Sequence, residues 1–391
     1  MTSAAARRQY SGPALFSFGF RPFFLGAAIW AALALPLWLW AHLGGPVAAM
    51  IDRNWHVHEM LFGYVGGVVA GFLLTAVPNW TGRLPVLGVP LAALAALWVA
   101  GRLAMLLGTA QPAAAMVDAA FLVVFAGVVW REVLAGRNWR NLPVAVMVTL
   151  LALANLAFHS RLFWPELGPA AERGAVAMIA MLIAFIGGRT VPSFTRNWMV
   201  QVGRAPLPAQ ADRTDQAGVF LIAAAAACWI AVPDLRLTGV ALGLAGLATL
   251  IRLSRWRTGQ VLSEPLLWSL HAGYGWLGLG LILAGVHILV PAIVPRTAGI
   301  HALMTGAAGV MTLAMMTRAT LGHTGRERSA DRATVALYAA INLAAVCRIA
   351  AAFAPGAVAV LLVAAAIFWV AAFALFIVRY GPMLLRPRLA S

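Results

Sequence analysis

The chain has 391 residues, of which 62% are hydrophobic and only 10% are charged, and its mean hydropathy is +0.87. A soluble domain carries about 25% charged residues, so this chain lacks the polar surface that a cytosolic globular enzyme, a disordered regulator or a disulfide scaffold needs. Its apolar runs are continuous rather than alternating, which predicts an all-α, polytopic integral membrane protein and argues against a transmembrane β-barrel.

Twelve apolar stretches are long enough to cross a bilayer, which takes roughly 20 residues per helix. In chain order they are residues 22–42, 56–78, 88–107, 112–131, 142–163, 172–190, 215–233, 235–254, 264–290, 298–320, 332–354 and 357–380. No linker between them is long enough to separate soluble domains. We therefore expect about 12 transmembrane helices in a single domain over residues 1–391.

The basic residues predict the orientation of these spans. The formal net charge is +16, and all 28 basic residues are arginines, which lie in short loops rather than in one basic domain. This distribution favours a topological role over nucleic-acid binding. The two termini and the alternate loops hold 21 of the arginines, and the opposite loops hold five. We expect both termini to be cytoplasmic.

Spans 2, 6 and 10 carry the signs of an internal repeat. Their cytoplasmic ends read LLTAVPNWTGR, GGRTVPSFTRN and MTRATLGHTGR. The threonines at which these segments align are Thr81, Thr195 and Thr324, and the residues 23 positions before them are His58, Glu172 and His301. The pattern H-x4-G-x2-G follows both histidines. This favours a threefold repeat of a four-helix unit over residues 15–134, 138–255 and 264–380, although chance similarity between apolar helices remains an alternative.

Six of the eight histidines fall at span ends predicted to face the periplasm, and the densest group is the HxHE segment with His56 and His58. Imidazole is a common ligand of copper, zinc and haem iron. Side chains two residues apart diverge on a regular helix, so both can face one metal only where the first residue is non-helical. Interfacial histidines without a metal are the alternative. The candidate metal ligands are His56, His58 and His301, with His287 and His159 as second choices.

Two arginines lie well inside predicted spans, at least five residues from either end. Arg102 in span 3 and Asp118 in span 4 are at equal depth on adjacent antiparallel helices, which predicts a structural ion pair. Arg348 has the corresponding position in span 11, but span 12 offers no acid. It therefore needs another anion, either Glu59 or a haem propionate.

Two predicted spans have a proline near their cytoplasmic ends. Pro78 and Pro192 are predicted to stop spans 2 and 6, so that the loop after span 6 begins near Thr190. Helix ends broken in this way also suit a substrate gate, which keeps a secondary transporter as an alternative.

Six segments resemble the NnrS family of membrane proteins. They are LFSFGFRPFF at residues 15–24, WHVHEM to WTG at 55–82, NWRNLPV at 138–144, GGRTVPSFTRNW at 187–198, LHAGYGWL at 270–277 and HALMTG to HTGR at 301–326. The resemblance implies a twelve-helix protein of the bacterial inner membrane that contains haem, here expected to be haem b, and copper and belongs to the response to nitric oxide. It makes His56, His58, His271, His301 and His323 more probable metal ligands.

We therefore expect a haem- and copper-binding membrane protein of nitric oxide tolerance, with a histidine-ligated redox metal near the periplasmic side. His271, His323 and Arg348 are the candidate residues for the haem. The resemblance implies nitric oxide as the small ligand, and a membrane site suits it because it is uncharged and enters lipid. Neither the reaction nor the electron-transfer partner follows from the residues, and a transporter or a non-catalytic sensor or assembly partner remain alternatives.

Overall fold

The structure is a computed structural model that describes residues 10–48, 50–108 and 111–389. Within these ranges the chain is built from helices and contains no strand, and 12 helices are long and apolar enough to cross a membrane. The prediction of an all-α, polytopic membrane protein is confirmed. Arg7 and Arg8, which enter the arginine count, and the C-terminal Ser391 lie outside the described residues.

The 12 helices, named α1 to α12 in chain order, correspond one to one to the predicted spans. They are Phe20–His42, Arg53–Thr81, Val89–Leu107, Pro112–Ala135, Trp139–Ser160, Leu167–Gln201, Arg213–Ala231, Arg236–Ser254, Pro265–Leu289, Arg296–His323, Arg332–Phe353 and Pro355–Leu385. Several begin with the expected capping chemistry. The Asp52 carboxylate accepts from the Trp55 amide at 2.7 Å and so fixes the start of α2.

Helices α2, α6 and α10 each contain a π-helical segment, at Glu59–Val65, Ile183–Gly187 and Ala302–Ala308. In α2 and α10 this segment follows a six-residue α-helix that ends on a histidine, His58 in one and His301 in the other. The π segments begin 22 residues before Thr81 and Thr324, but the one in α6 begins 12 residues before Thr195. The threefold repeat stays a prediction, and α2 and α10 share one helical form in its register.

The prolines do not stop the helices as predicted. Pro78 lies inside α2, which ends three residues later at Thr81 and is followed by Gly82 in the left-handed conformation, and α6 continues through Pro192 to Gln201. Thr190 and Thr195 bond the carbonyls four residues before them. Such hydroxyl bonds and local π geometry let transmembrane helices contain proline. The expectation of a loop from Thr190 was wrong for this reason.

By internal contacts the chain divides into two compact units. The first comprises residues 1–175, 316–328 and 373–391, and the second comprises 176–315 and 329–372. In the first unit α1 packs on α2, α3 on α4 and α4 on α5. In the second unit α8 packs closely on α9, where a Cβ on Gly246 would lie 2.6 Å from the Gly278 carbonyl oxygen. Small residues permit this close approach of two helix backbones.

Candidate metal site

Six polar side chains meet in the interior of the first unit. Helix α2 contributes two of them from the junction between its α and π segments, α3 and α4 contribute one each, and α5 contributes two. They are His58, Glu59, Arg102, Asp118, Asn155 and His159, named here the His58 cluster. All are buried, with His159 the most exposed at 6%. Buried polar groups of this number require mutual bonding, and their contacts supply it.

Asp118 is the centre of the cluster. Its Oδ2 lies 2.9 Å from His58 Nε2 and 2.8 Å from His159 Nε2. The amide of Asn155 donates to the same oxygen at 2.9 Å and places its Oδ1 3.0 Å from His58 Nε2. One ligand atom from each of His58, Asp118 and His159 lies within 4.8 Å of the other two. Two imidazoles and a carboxylate at this spacing form a candidate metal site.

Glu59 fixes the orientation of His58. The His58 Nδ1 lies 2.8 Å from the Glu59 carboxylate, so this nitrogen carries the proton that it donates. The Nε2 on the other side of the ring faces oxygen atoms of Asp118 and Asn155. A ring nitrogen between acceptor oxygens needs a cation, either its own proton or a metal ion. A carboxylate behind a histidine is also the usual support of a metal-bound imidazole.

Arg102 connects the two carboxylates of the cluster. Its Nη1 donates to Glu59 at 2.9 Å, and its Nη2 contacts Asp118 Oδ1. Gly63 on α2 lies against this guanidinium and has no room for a side chain. The structure therefore brings Arg102 and Asp118 together as an ion pair, and it adds Glu59 as a second carboxylate on the same cation.

Aromatic rings and one imidazole nitrogen without a hydrogen bond complete the surroundings of the His58 cluster. The rings of Phe62 and Phe158 lie with their centroids 5.2 and 5.4 Å from that of His58. Among the described residues, His159 Nδ1 is buried without a hydrogen-bond partner. Arg161, just beyond α5, stacks over Phe158 at 4.0 Å, and burial lowers the pKa of its guanidinium. The cluster is therefore shielded from water and retains one open imidazole nitrogen.

The other predicted ligands in the first unit lie outside the His58 cluster. Residues 53–58 are fully helical, so His56 and His58 point apart and do not converge on one ion. His56 instead stacks on Trp38 at 3.9 Å. His323, predicted for the haem, lies edge-on to Phe18 at 5.2 Å.

The second unit holds the remaining predicted residues in separate environments. His287 Nδ1 lies 2.8 Å from the Val294 carbonyl, and His301 Nδ1 lies 2.8 Å from the Thr297 carbonyl. Arg348 is half-buried on α11. His271 places its two ring nitrogens 2.9 Å from the hydroxyls of Thr195 and Thr258.

Sequence reasoning missed a second buried network in this unit. Arg252 donates to Asp215 at 2.8 Å and to the Tyr274 hydroxyl at 2.7 Å. Arg252 is buried in α8, inside the predicted span over residues 235–254. Asp215 near the start of span 7 and Arg252 near the end of span 8 are at similar depth, which is the signal that could have found the pair.

A family model described as NnrS protein matches residues 14–388, which is nearly the whole chain. The chain belongs to the NnrS family. No curated protein matches it in a sequence search. Membership of the NnrS family supports a multi-pass membrane protein of the nitric oxide response.

Proposed function

We propose that this NnrS-family protein binds copper in the His58 cluster and acts as a redox protein of nitric oxide tolerance in the bacterial inner membrane. The observation that carries the proposal is the convergence of His58 Nε2, His159 Nε2 and Asp118 Oδ2 in the protein interior. The predicted orientation of the helices places this cluster toward the periplasmic side. Family membership supports the link to nitric oxide.

The donor set fits copper. Imidazole nitrogens with a carboxylate are suited to copper and to zinc, and copper binds more tightly than zinc to such ligands. The His58 Nε2 faces only oxygen acceptors within hydrogen-bond distance and therefore requires a cation. His58 and His159 would hold the ion with Asp118, and Asn155 would bond the carboxylate.

Copper supplies a one-electron couple and a position at which a small molecule can bind. The residues of the chain orient the ligands and exclude water. Glu59 keeps the proton on His58 Nδ1, so that Nε2 presents its lone pair to the metal position. Phe62 and Phe158 shield the cluster from water, and nitric oxide can reach a buried site through the lipid because it is small and uncharged.

We also propose that the protein binds haem, and this rests on the family resemblance and on His271 and Arg348 of the second unit. His271 is buried, and its two ring nitrogens are engaged by threonine hydroxyls. Iron ligation at His271 therefore requires the displacement of Thr195 or Thr258. An optical spectrum of the purified protein tests this: a haem Soret band that is lost in His271→Ala supports the assignment, and an unchanged spectrum contradicts it.

Copper analysis of single variants tests the metal site. We expect His58→Ala and His159→Ala to lose copper while still reaching the membrane as folded protein. His42→Ala and His287→Ala are matched controls, because they remove an imidazole from a helix end outside the His58 cluster, and they should keep full copper content. Size-exclusion chromatography in detergent monitors folding. Full copper in both cluster variants, or loss in the control variants alone, would refute the site.

A further inference from the structure

The formal charge of the His58 cluster is the feature that distinguishes one metal ion from another. With both imidazoles neutral, Glu59 and Asp118 contribute two negative charges and Arg102 contributes one positive charge. The protein groups that surround a bound metal ion, where both imidazoles are neutral ligands, therefore carry a net charge of about −1 by formal counting. The side chains of Glu59, Asp118 and Arg102 are 0%, 1% and 3% exposed, so water does not screen this charge.

A buried charge without a counter-charge is costly. A univalent ion brings the cluster to neutrality. A divalent ion, whether Cu(II) or Zn(II), leaves an uncompensated positive charge beside the guanidinium of Arg102. Since that guanidinium contacts Asp118, it lies next to the metal position and acts on the ion at short range.

Neither Glu59 nor Arg102 occupies a ligand position. Glu59 bonds His58 through Nδ1, on the opposite side of the ring from the metal position. Arg102 has only donor groups and cannot bind a cation. Both residues are therefore free to set the charge around the ion without forming a bond to it.

We propose that the His58 cluster selects copper as Cu(I), and that Arg102 and Glu59 are the positioning residues that determine this preference. This inference rests on the proposed function. The redox step is the one-electron reduction of Cu(II) to Cu(I), with the electron supplied by the mediator in a titration and no bond broken. The positive charge of Arg102 favours Cu(I), the ion of lower charge. The negative charge of Glu59 favours Cu(II).

A redox titration of the copper-loaded protein measures the effect, with the Cu(II) electron paramagnetic resonance signal as the readout. Arg102→Gln should lower the equilibrium constant for copper reduction at least tenfold, which is 59 mV for one electron. Glu59→Gln should raise it by a similar factor. If Arg102→Gln fails to accumulate, Arg102→Lys, which keeps the charge and should leave the potential near that of the wild type, and Glu59→Gln still carry the test.

Charge changes elsewhere on the same unit provide the controls. Arg53 on α2 bonds Glu172 on α6 at 2.8 Å, but the Arg53 side chain is 61% exposed. Solvent at the exposed Arg53 side chain screens this pair, so Arg53→Gln and Glu172→Gln change the same charges outside the buried cluster. Each should change the equilibrium constant less than threefold.

Competition between Cu(I) and Zn(II) provides a second readout that does not depend on electron transfer. Arg102→Gln makes the cluster more negative by one charge, so its preference for Cu(I) over Zn(II) should fall at least tenfold. Glu59→Gln should strengthen that preference.

The outcomes separate this inference from the proposed function. Opposite shifts in the two variants support it. Shifts in the same direction, or shifts no larger than those of the controls, overturn the inference alone. A wild-type protein that binds no copper contradicts the proposed function and the inference with it.

Discussion

Replacing Arg102 should destabilise the protein more than replacing either carboxylate that it bonds. Arg102→Gln leaves Glu59 and Asp118 buried without their shared cation. Asp118→Asn leaves the Arg102–Glu59 pair intact, and Glu59→Gln leaves the Arg102–Asp118 pair intact. Asp118→Asn and Glu59→Gln are isosteric and so report charge, whereas Arg102→Gln also shortens the side chain.

The distances give the magnitude of the expected destabilisation. Arg102 Nη1 is 2.9 Å from Glu59 Oε2, and unit charges at that distance attract by about 6 kcal/mol at an effective dielectric constant of about 20. Desolvation offsets part of this attraction, and breaking a buried pair from one side costs about 3–5 kcal/mol. We expect that range for Arg102→Gln. Each carboxylate variant should cost about 1.5–3 kcal/mol, the contribution of a hydrogen bond to a charged group.

Reversible unfolding in detergent, followed by tryptophan fluorescence, measures these free energies. The double variant Arg102→Gln/Glu59→Gln should be more stable than Arg102→Gln alone, because it removes one of the two buried carboxylates that have lost their cation. If Arg102→Gln costs no more than Asp118→Asn, or if the double variant shows simple additivity, the shared-cation account fails.

Three further predictions concern packing, a helix cap and orientation. Gly246→Ala should cost about 1–3 kcal/mol by overpacking against Gly278, whereas Gly243→Ala on the same helix faces open space and should be neutral or slightly stabilising; equal unfolding midpoints would contradict this packing. Asp212 caps α7, and the hydrogen bond from Arg255 lowers the pKa of its carboxyl below the usual 3.8. Its contribution is present above pH 3.8 and is lost only as the pH falls through the lowered pKa. The hydrogen-exchange protection factors at the start of α7, corrected for the intrinsic exchange rate, should therefore stay high at pH 3.8 and become insensitive to pH in Asp212→Asn. Fraying of the wild type well above pH 3.8 would count against the cap. A reporter fused after Ser391 that functions only in the cytoplasm should be active, and activity from a periplasmic reporter alone would reverse the orientation.

The sequence predicted the helices well because hydropathy over roughly 20 residues reflects the thickness of the bilayer and needs no knowledge of neighbours. Depth along antiparallel spans also brought Arg102 and Asp118 into one hypothesis. Depth also relates Asp215 and Arg252, which lie in the predicted spans 7 and 8 near the same face of the membrane, but the sequence analysis did not pair them.

The composition of the His58 cluster was harder to predict. A π segment begins at Glu59, so the periodicity of a regular helix does not describe which side chains of α2 turn inward after His58. Asn155 was missed, although it lies four residues before His159 and so shares its face of α5. Asp118 was assigned only to Arg102, because sequence alone does not show that one carboxylate serves a guanidinium and two imidazoles.

The helix ends near the prolines were also harder to predict. The local preference of proline predicted a stop at Pro192, but α6 continues to Gln201. In a membrane an interrupted backbone leaves polar groups without water, which favours a continuous helix. The broken helices that motivated the transporter alternative are therefore continuous at Pro78 and Pro192.

The most direct test of the central claim is X-ray absorption at the copper edge of the purified wild-type protein. Two imidazole ligands in the multiple-scattering signal of the wild type, with no copper absorption edge in purified His159→Ala, is the result that the proposed site predicts. Copper bound without imidazole, or with the same imidazole count in His58→Ala and His159→Ala, would contradict it.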